Sequence, residues 1–133
     1  MHLNKIMLAI LLLGLTQSRL NAQDQTEGNV EVTAEIALGV EDRQPVSPGT
    51  EFPADVGQLY AWTKVTGAAN TTIQHIWRHQ DHEFAVPLNI GGSPWRVWST
   101  KNIPPEWTGE WTFQVKDSDG NVVFETNFTV GSR

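Results

Sequence analysis

From residue 30 onward, apolar and polar side chains alternate with a period of two, the spacing that throws neighbours to opposite faces of an extended strand. The segment 30–38 (VEVTAEIAL) sets Val30, Val32, Ala34, Ile36 and Leu38 against Glu31, Thr33 and Glu35, so one face points inward and the other is acidic and wet. In 58–66 (QLYAWTKVT), β-branched and aromatic residues occupy both faces, which predicts a strand buried on both sides. Gly67 to Asn70 is a turn, and 71–79 (TTIQHIWRH) places Ile73, His75, Trp77 and His79 on one face, with Gln74, Ile76 and Arg78 on the other. Gln80 to Glu83 reads as a hairpin turn into 84–90 (FAVPLNI), where Pro87 lacks a ladder donor and predicts an edge strand or a bulge.

After the turn Gly91-Gly92-Ser93-Pro94, the segment 95–100 (WRVWST) sets Trp95, Val97 and Ser99 opposite Arg96, Trp98 and Thr100. Pro104-Pro105 breaks the chain. The segment 110–116 then turns Trp111, Phe113 and Val115 inward, Asp119-Gly120 signals a hairpin, and 122–130 returns with Val122, Phe124, Phe128 and Val130 on one face. Trp111, Phe113, Phe124, Phe128 and Val130 are assigned to the core. By contrast, 39–56 carries three prolines and two glycines and predicts a long irregular connection. Seven short strands with turns about ten residues apart predict an all-β fold, an antiparallel two-sheet sandwich of immunoglobulin-like type, with a small β-barrel as the alternative.

The front of the chain has a different character. Met1, His2 and Lys5 precede an apolar run from Ile6 to Leu15, and Ala22 supplies a small residue for cleavage, so residues 1–22 read as a secretory signal peptide. A run of about ten residues is short of the roughly twenty that cross a bilayer. Residues 23–29 form a polar, flexible lead, and residues 30–133 form one sandwich domain. There is no cysteine, so neither a disulfide framework nor a lipidated cysteine at the cleavage site is available. Cleavage removes Lys5 and Arg19, taking the net charge from −6 to −8, a balance that argues against nucleic acid and anionic lipid as partners.

Within this order the chain resembles a bacterial family, the domain of unknown function 2914, from about Ile36 to Val130. The landmarks are Glu41 to Val46, Leu59-Tyr60-Ala61-Trp62, His75-Ile76-Trp77, Trp95 to Lys101, Gly109-Glu110-Trp111, and Asp117 to Gly120 leading to Phe128-Thr129-Val130. The resemblance implies an exported or membrane-attached bacterial module and supplies no activity. Gln80-Asp81-His82 departs from it, since the family pattern places a glycine in that turn.

The segment 73–111 concentrates the candidate chemistry, with five of the six tryptophans and three of the four histidines. His75, His79 and His82 invite a metal, but four residues along a strand separate His75 from His79 by about 13 Å, too far to share one ion. His79 and His82 can still converge across the turn, with Asp81 or Glu83 as a third ligand, but solvated turn histidines are the ordinary reading, so no metal site is assigned, and no cofactor. There is no nucleophile elbow, phosphate-cradling glycine loop, cysteine nucleophile or zinc-protease helix, so no catalytic residue is assigned; Glu106 and Glu110 would be the carboxylates of a remote hydrolase alternative. The expected function is binding, by a monomer exported to the periplasm or medium, through His75, Arg78, Trp95, Arg96, Ser99, Lys101 and Trp107. In that reading indoles stack on a sugar ring or an apolar peptide side chain while Arg96 and His75 bond its polar groups. Protein partners are preferred to glycans because no extended row of tyrosines forms a sugar platform. The rival is a purely structural envelope domain in which tryptophans and arginines only hold the fold.

Overall fold

The computed structural model describes residues 29–131, and among them nine strands and no helix. The signal peptide and nearly all of the lead lie outside the described residues. The strands are β1 (Glu31–Glu41), β2 (Gln44–Pro48), β3 (Glu51–Phe52), β4 (Gly57–Thr66), β5 (Thr71–His79), β6 (His82–Ile90), β7 (Trp95–Ile103), β8 (Gly109–Lys116) and β9 (Val122–Val130). They form two sheets, ordered β2-β1-β4-β7 and β3-β9-β8-β5-β6, and neither closes into a barrel. The connections β2–β3, β3–β4, β4–β5, β6–β7 and β7–β8 cross between the sheets, while β1–β2, β5–β6 and β8–β9 are hairpins within one, so that β1-β4-β7 faces β9-β8-β5-β6 as in an immunoglobulin-like sandwich.

All seven expected strands are present, and the core assignments hold for Trp111, Phe113, Phe128 and Val130, which are buried, while Phe124 packs partly buried against them. Val122 is a correction: it is 48% exposed, beyond the irregularity at Val115/Lys116 that disturbs the alternation at the start of β9. Residues 39–56 are the other correction. They are not irregular throughout but hold β2 and β3. Asp42 and Arg43 both adopt positive φ, 52° and 62°, the paired left-handed turn that closes a two-residue hairpin between β1 and β2. Pro45 and Pro48 are tolerated because β2 is an edge strand, where a missing donor breaks no second ladder. The two-residue β3 pairs parallel with β9, so the second sheet is not purely antiparallel. Pro87 lies on β6, the opposite edge of that sheet, as its missing donor requires.

The turn from β5 to β6, where the resemblance implies a glycine, is left-handed at its first residue. Gln80 sits at φ 55°, a left-handed conformation that burdens any side chain with a Cβ. Gln80→Gly is expected to raise stability by up to about 1 kcal/mol, read as a higher urea midpoint at unchanged slope.

With no cysteine to bridge the sheets, a buried chain of hydrogen bonds does so. Thr63 Oγ1 donates to the Val97 carbonyl at 2.8 Å, which leaves the Thr63 oxygen to accept from His75 Nε2 at 3.1 Å. The tautomer follows: Nε2 carries the proton and Nδ1 accepts from Ser99 Oγ at 2.7 Å, while Ser99 accepts from Trp77 Nε1 at 3.1 Å. Each polar hydrogen in the chain has an acceptor, and it links β5 in one sheet to β4 and β7 in the other. His75 is 0% exposed, and burial pushes its pKa down to about 3, consistent with the neutral ring that the hydrogen bonds demand.

Candidate functional site

The seven sequence-chosen residues do not form one surface. His75 and Ser99 belong to the interior network, Ser99 being 6% exposed, so no external ligand reaches them without opening the core. Arg78 stands on the outer face of the second sheet and pairs with Glu83 at 2.8 Å across the β5–β6 register. That bond holds the Glu83 carboxyl below its usual range. Both partners are well exposed, so Arg78→Gln is expected to leave the thermal midpoint unchanged within error.

Lys101 and Trp107 come together toward one end of the sandwich. The Lys101 ammonium lies 3.9 Å from the centre of the Phe84 ring and 5.9 Å from that of Trp107, and partial burial lowers its pKa. Trp107 in turn lies flat over two imidazoles, stacked on His79 at 5.3 Å and on His82 at 4.6 Å. Its carbonyl accepts from Trp111 Nε1, and His79 Nε2 donates to the neighbouring Thr108 carbonyl. The Trp107 ring and the cation are thus engaged within the molecule, and the cluster covers that end of the core. His79 and His82 converge as the register requires, but no group of three metal-ligating side chains occurs among the described residues.

Trp95 and Arg96 lie toward the other end, where β7 passes β6. There Asn89, Trp95, Arg96, Val97 and Trp98 line an open groove of about 330 Å³. The local sequence makes it. Gly91 and Gly92 leave space that the Trp95 ring occupies: a Cβ on Gly91 would stand 2.9 Å from the indole. Trp95 stays 38% exposed. Strand alternation sends Arg96 and Trp98 to the outer face of the first sheet, beside Lys64 and Trp62 on β4. Trp62 and Trp98 were not equally legible: Trp62 is buried on that outer face because the β1–β2 turn returns over it and the Arg43 carbonyl accepts from its Nε1 at 2.9 Å.

The six indole N–H groups therefore divide. Those of Trp62, Trp77 and Trp111 are donated inside the molecule. Those of Trp95, Trp98 and Trp107 have no acceptor among the described residues. Arg96 adds a further unmet donor, because its Nε is buried without a partner. Two indoles, a guanidinium and the Asn89 amide lining one groove offer polar and apolar contacts together. Lys64 is the residue that the sequence reading missed; its cross-strand position opposite Arg96 was the register that only the structure supplies.

A larger groove, about 770 Å³, runs between β3 and the start of β8, with Glu51 and Glu110 on either side of Thr129. Glu106, the other carboxylate of the hydrolase alternative, is exposed and does not line it.

Residues 70–130 match the model of a family described as a protein of unknown function (DUF2914). The match runs from the turn before β5 to the end of β9 and bears out the resemblance over that stretch; residues 36–69 lie outside it. No curated protein matches the chain. Among solved structures it is similar to a β-glucosidase from Listeria innocua in complex with glucose, at 10% identity and a TM-score of 0.46 over 78% of this chain and 16% of that one. It is also similar to a GH3 β-glucosidase from Bifidobacterium adolescentis, at 13% identity and 0.37 over 77% and 17%, and to a β-glucosidase from Kluyveromyces marxianus, at 14% and 0.38 over 76% and 15%. The chain spans about a sixth of the length of these enzymes, and their activity does not transfer on such a likeness. Among the described residues no helix is long and apolar enough to cross a membrane.

Proposed function

We propose that this chain, whose residues 70–130 carry the DUF2914 pattern, is a non-catalytic binding module that is exported and works as a monomer at the bacterial cell envelope. The observation that carries the reading is the groove at Trp95, Arg96 and Trp98, a ligand-sized recess lined by two indoles whose N–H groups have no acceptor among the described residues and by Arg96, whose buried Nε is also unpaired. Unmet donors beside exposed ring faces are what a recognition surface keeps in reserve for a partner. The export part rests on the signal-like residues 1–22.

The binding half is tested on arrays of peptides and oligosaccharides probed with the full mature domain and with its Trp98→Ala and Arg96→Gln variants. Array signals that fall at least tenfold in both variants, with unchanged far-ultraviolet dichroism, support the groove. Signals that survive both substitutions place recognition elsewhere and overturn it. The export half is read by mass spectrometry of the exported fraction, where an N-terminus at Gln23 is expected.

Favouring a structural role for part of the constellation, the closed network of Thr63, His75, Trp77 and Ser99 leaves no donor for a ligand. These four side chains serve the fold in either reading.

A further inference from the structure

The groove's lining has a feature that narrows its ligand. Trp95 and Val97 project from one face of β7, Arg96 and Trp98 from the other, yet all four line the same recess. Side chains of both parities meet only over a strand's edge, and β7 is the last strand of its sheet, so the groove lies along unpaired backbone donors and acceptors. Asn89 of the neighbouring edge strand β6 closes the far side.

The charge beside that edge is also unbalanced. Lys64 and Arg96 are directly opposed on β4 and β7, two cations in one cross-strand row. Such a pair repels itself unless an anion sits between. Glu31 and Glu35 on β1 share the outer face, opposite Thr66 and Trp62, but neither reaches a cation: the ion pair found among the described residues is Arg78–Glu83, so no carboxylate lies within 4.0 Å of Lys64 or Arg96. Two residues along on the same face, about 7 Å away, comes the indole row Trp62 and Trp98.

Resting on the binding role proposed for this groove, we propose that its partner is an extended acidic peptide segment that adds to the edge of β7. One carboxylate stands opposite Arg96, at the end of the cross-strand row that Lys64 continues on β4, and an apolar side chain two positions away lies beside Trp98. The strand spacing is common to both chains, so a peptide with acidic and apolar residues at alternate positions on one face matches the cation row and the indole row at once. Main-chain hydrogen bonds along β7 supply the rest of the contact. An acidic polysaccharide offers the charge but not the backbone ladder, and for that reason the peptide is the better fit.

The test uses the mature domain, uniformly labelled with nitrogen-15, and three probes: a blocked octapeptide bearing glutamate and leucine two positions apart, the same peptide with glutamine for glutamate, and polygalacturonate. The acidic peptide is expected to shift the β7 backbone amides and the Trp95 and Trp98 indole signals, to bind at least tenfold more tightly than the glutamine peptide, and to weaken as salt is raised. Arg96→Gln should weaken it about tenfold and Lys64→Gln, one strand further away, about threefold, and Arg78→Gln should not. Lys64→Gln keeps the test sound if Arg96→Gln proves unstable. Equal binding of the two peptides at β7 overturns the acidic preference and leaves the groove standing. Shifts at β7 with polygalacturonate and none with either peptide overturn the peptide. If no probe moves Trp95 or Trp98, both this inference and the groove itself are overturned.

Discussion

Replacing His75 by Ala is expected to destabilise the domain by about 3 to 5 kcal/mol, most of what a domain of this size possesses. Two costs add. A cavity opens beside Phe113, whose ring stands 5.0 Å from the imidazole, edge to face. At the same time the Ser99 hydroxyl loses its acceptor and Thr63 loses its donor in a place water does not reach. The same residue sets an acid limit. Its folded pKa of about 3 lies below the unfolded 6.5, so between those values the unfolded chain binds the extra proton. Stability is therefore fully present above about pH 6.5 and falls with pH at up to about 1.4 kcal/mol per unit until about pH 3. Urea midpoints measured from pH 7 to 4 in the wild type and in His75→Gln isolate it, because titrations shared by both cancel. A wild-type slope no steeper than the variant's would contradict a neutral, fully bonded ring.

The second large effect is at Trp77. It is wholly buried, with Phe113 at 5.5 Å and Phe128 at 6.2 Å in edge-to-face contact and Ser99 accepting its N–H. Trp77→Ala should cost about 3 to 5 kcal/mol or prevent folding, whereas Trp98→Ala, half-exposed on the outer face, should cost about 1 kcal/mol. Chemical denaturation of the two variants side by side decides it. Equal losses would mean that the outer-face indole is as structural as the inner one.

That contrast shows where the sequence was legible. A period of two located seven strands and the aromatic interior because alternation is a local property, written into each segment. The hairpin at Asp42-Arg43 was masked by Pro45 and Pro48, since a composition that argues against a central strand is silent about an edge. For the site, the sequence put Trp95 and Arg96 among the candidates, and they line one groove, and it correctly gave His75 and Trp77 one face. Grouping His75 and Ser99 with the surface failed because alternation tells which residues share a face and not which face is wet. Lys101 and Trp107 likewise met partners, Phe84 and the His79/His82 pair, that only tertiary contact brings to them. Lys64 stayed invisible for the converse reason: thirty-odd residues of chain separate it from Arg96, and the sheet register removes that distance.

Hydrogen exchange of the six indole N–H groups, each resolved in one nitrogen-15 spectrum of the mature domain, tests most directly whether the β7 groove is open to a partner. Trp62, Trp77 and Trp111 should be protected by their internal acceptors, while Trp95 and Trp98 exchange with water rapidly. Protection of Trp95 and Trp98 comparable with that of Trp77 would mean the groove is closed and the binding surface is not there.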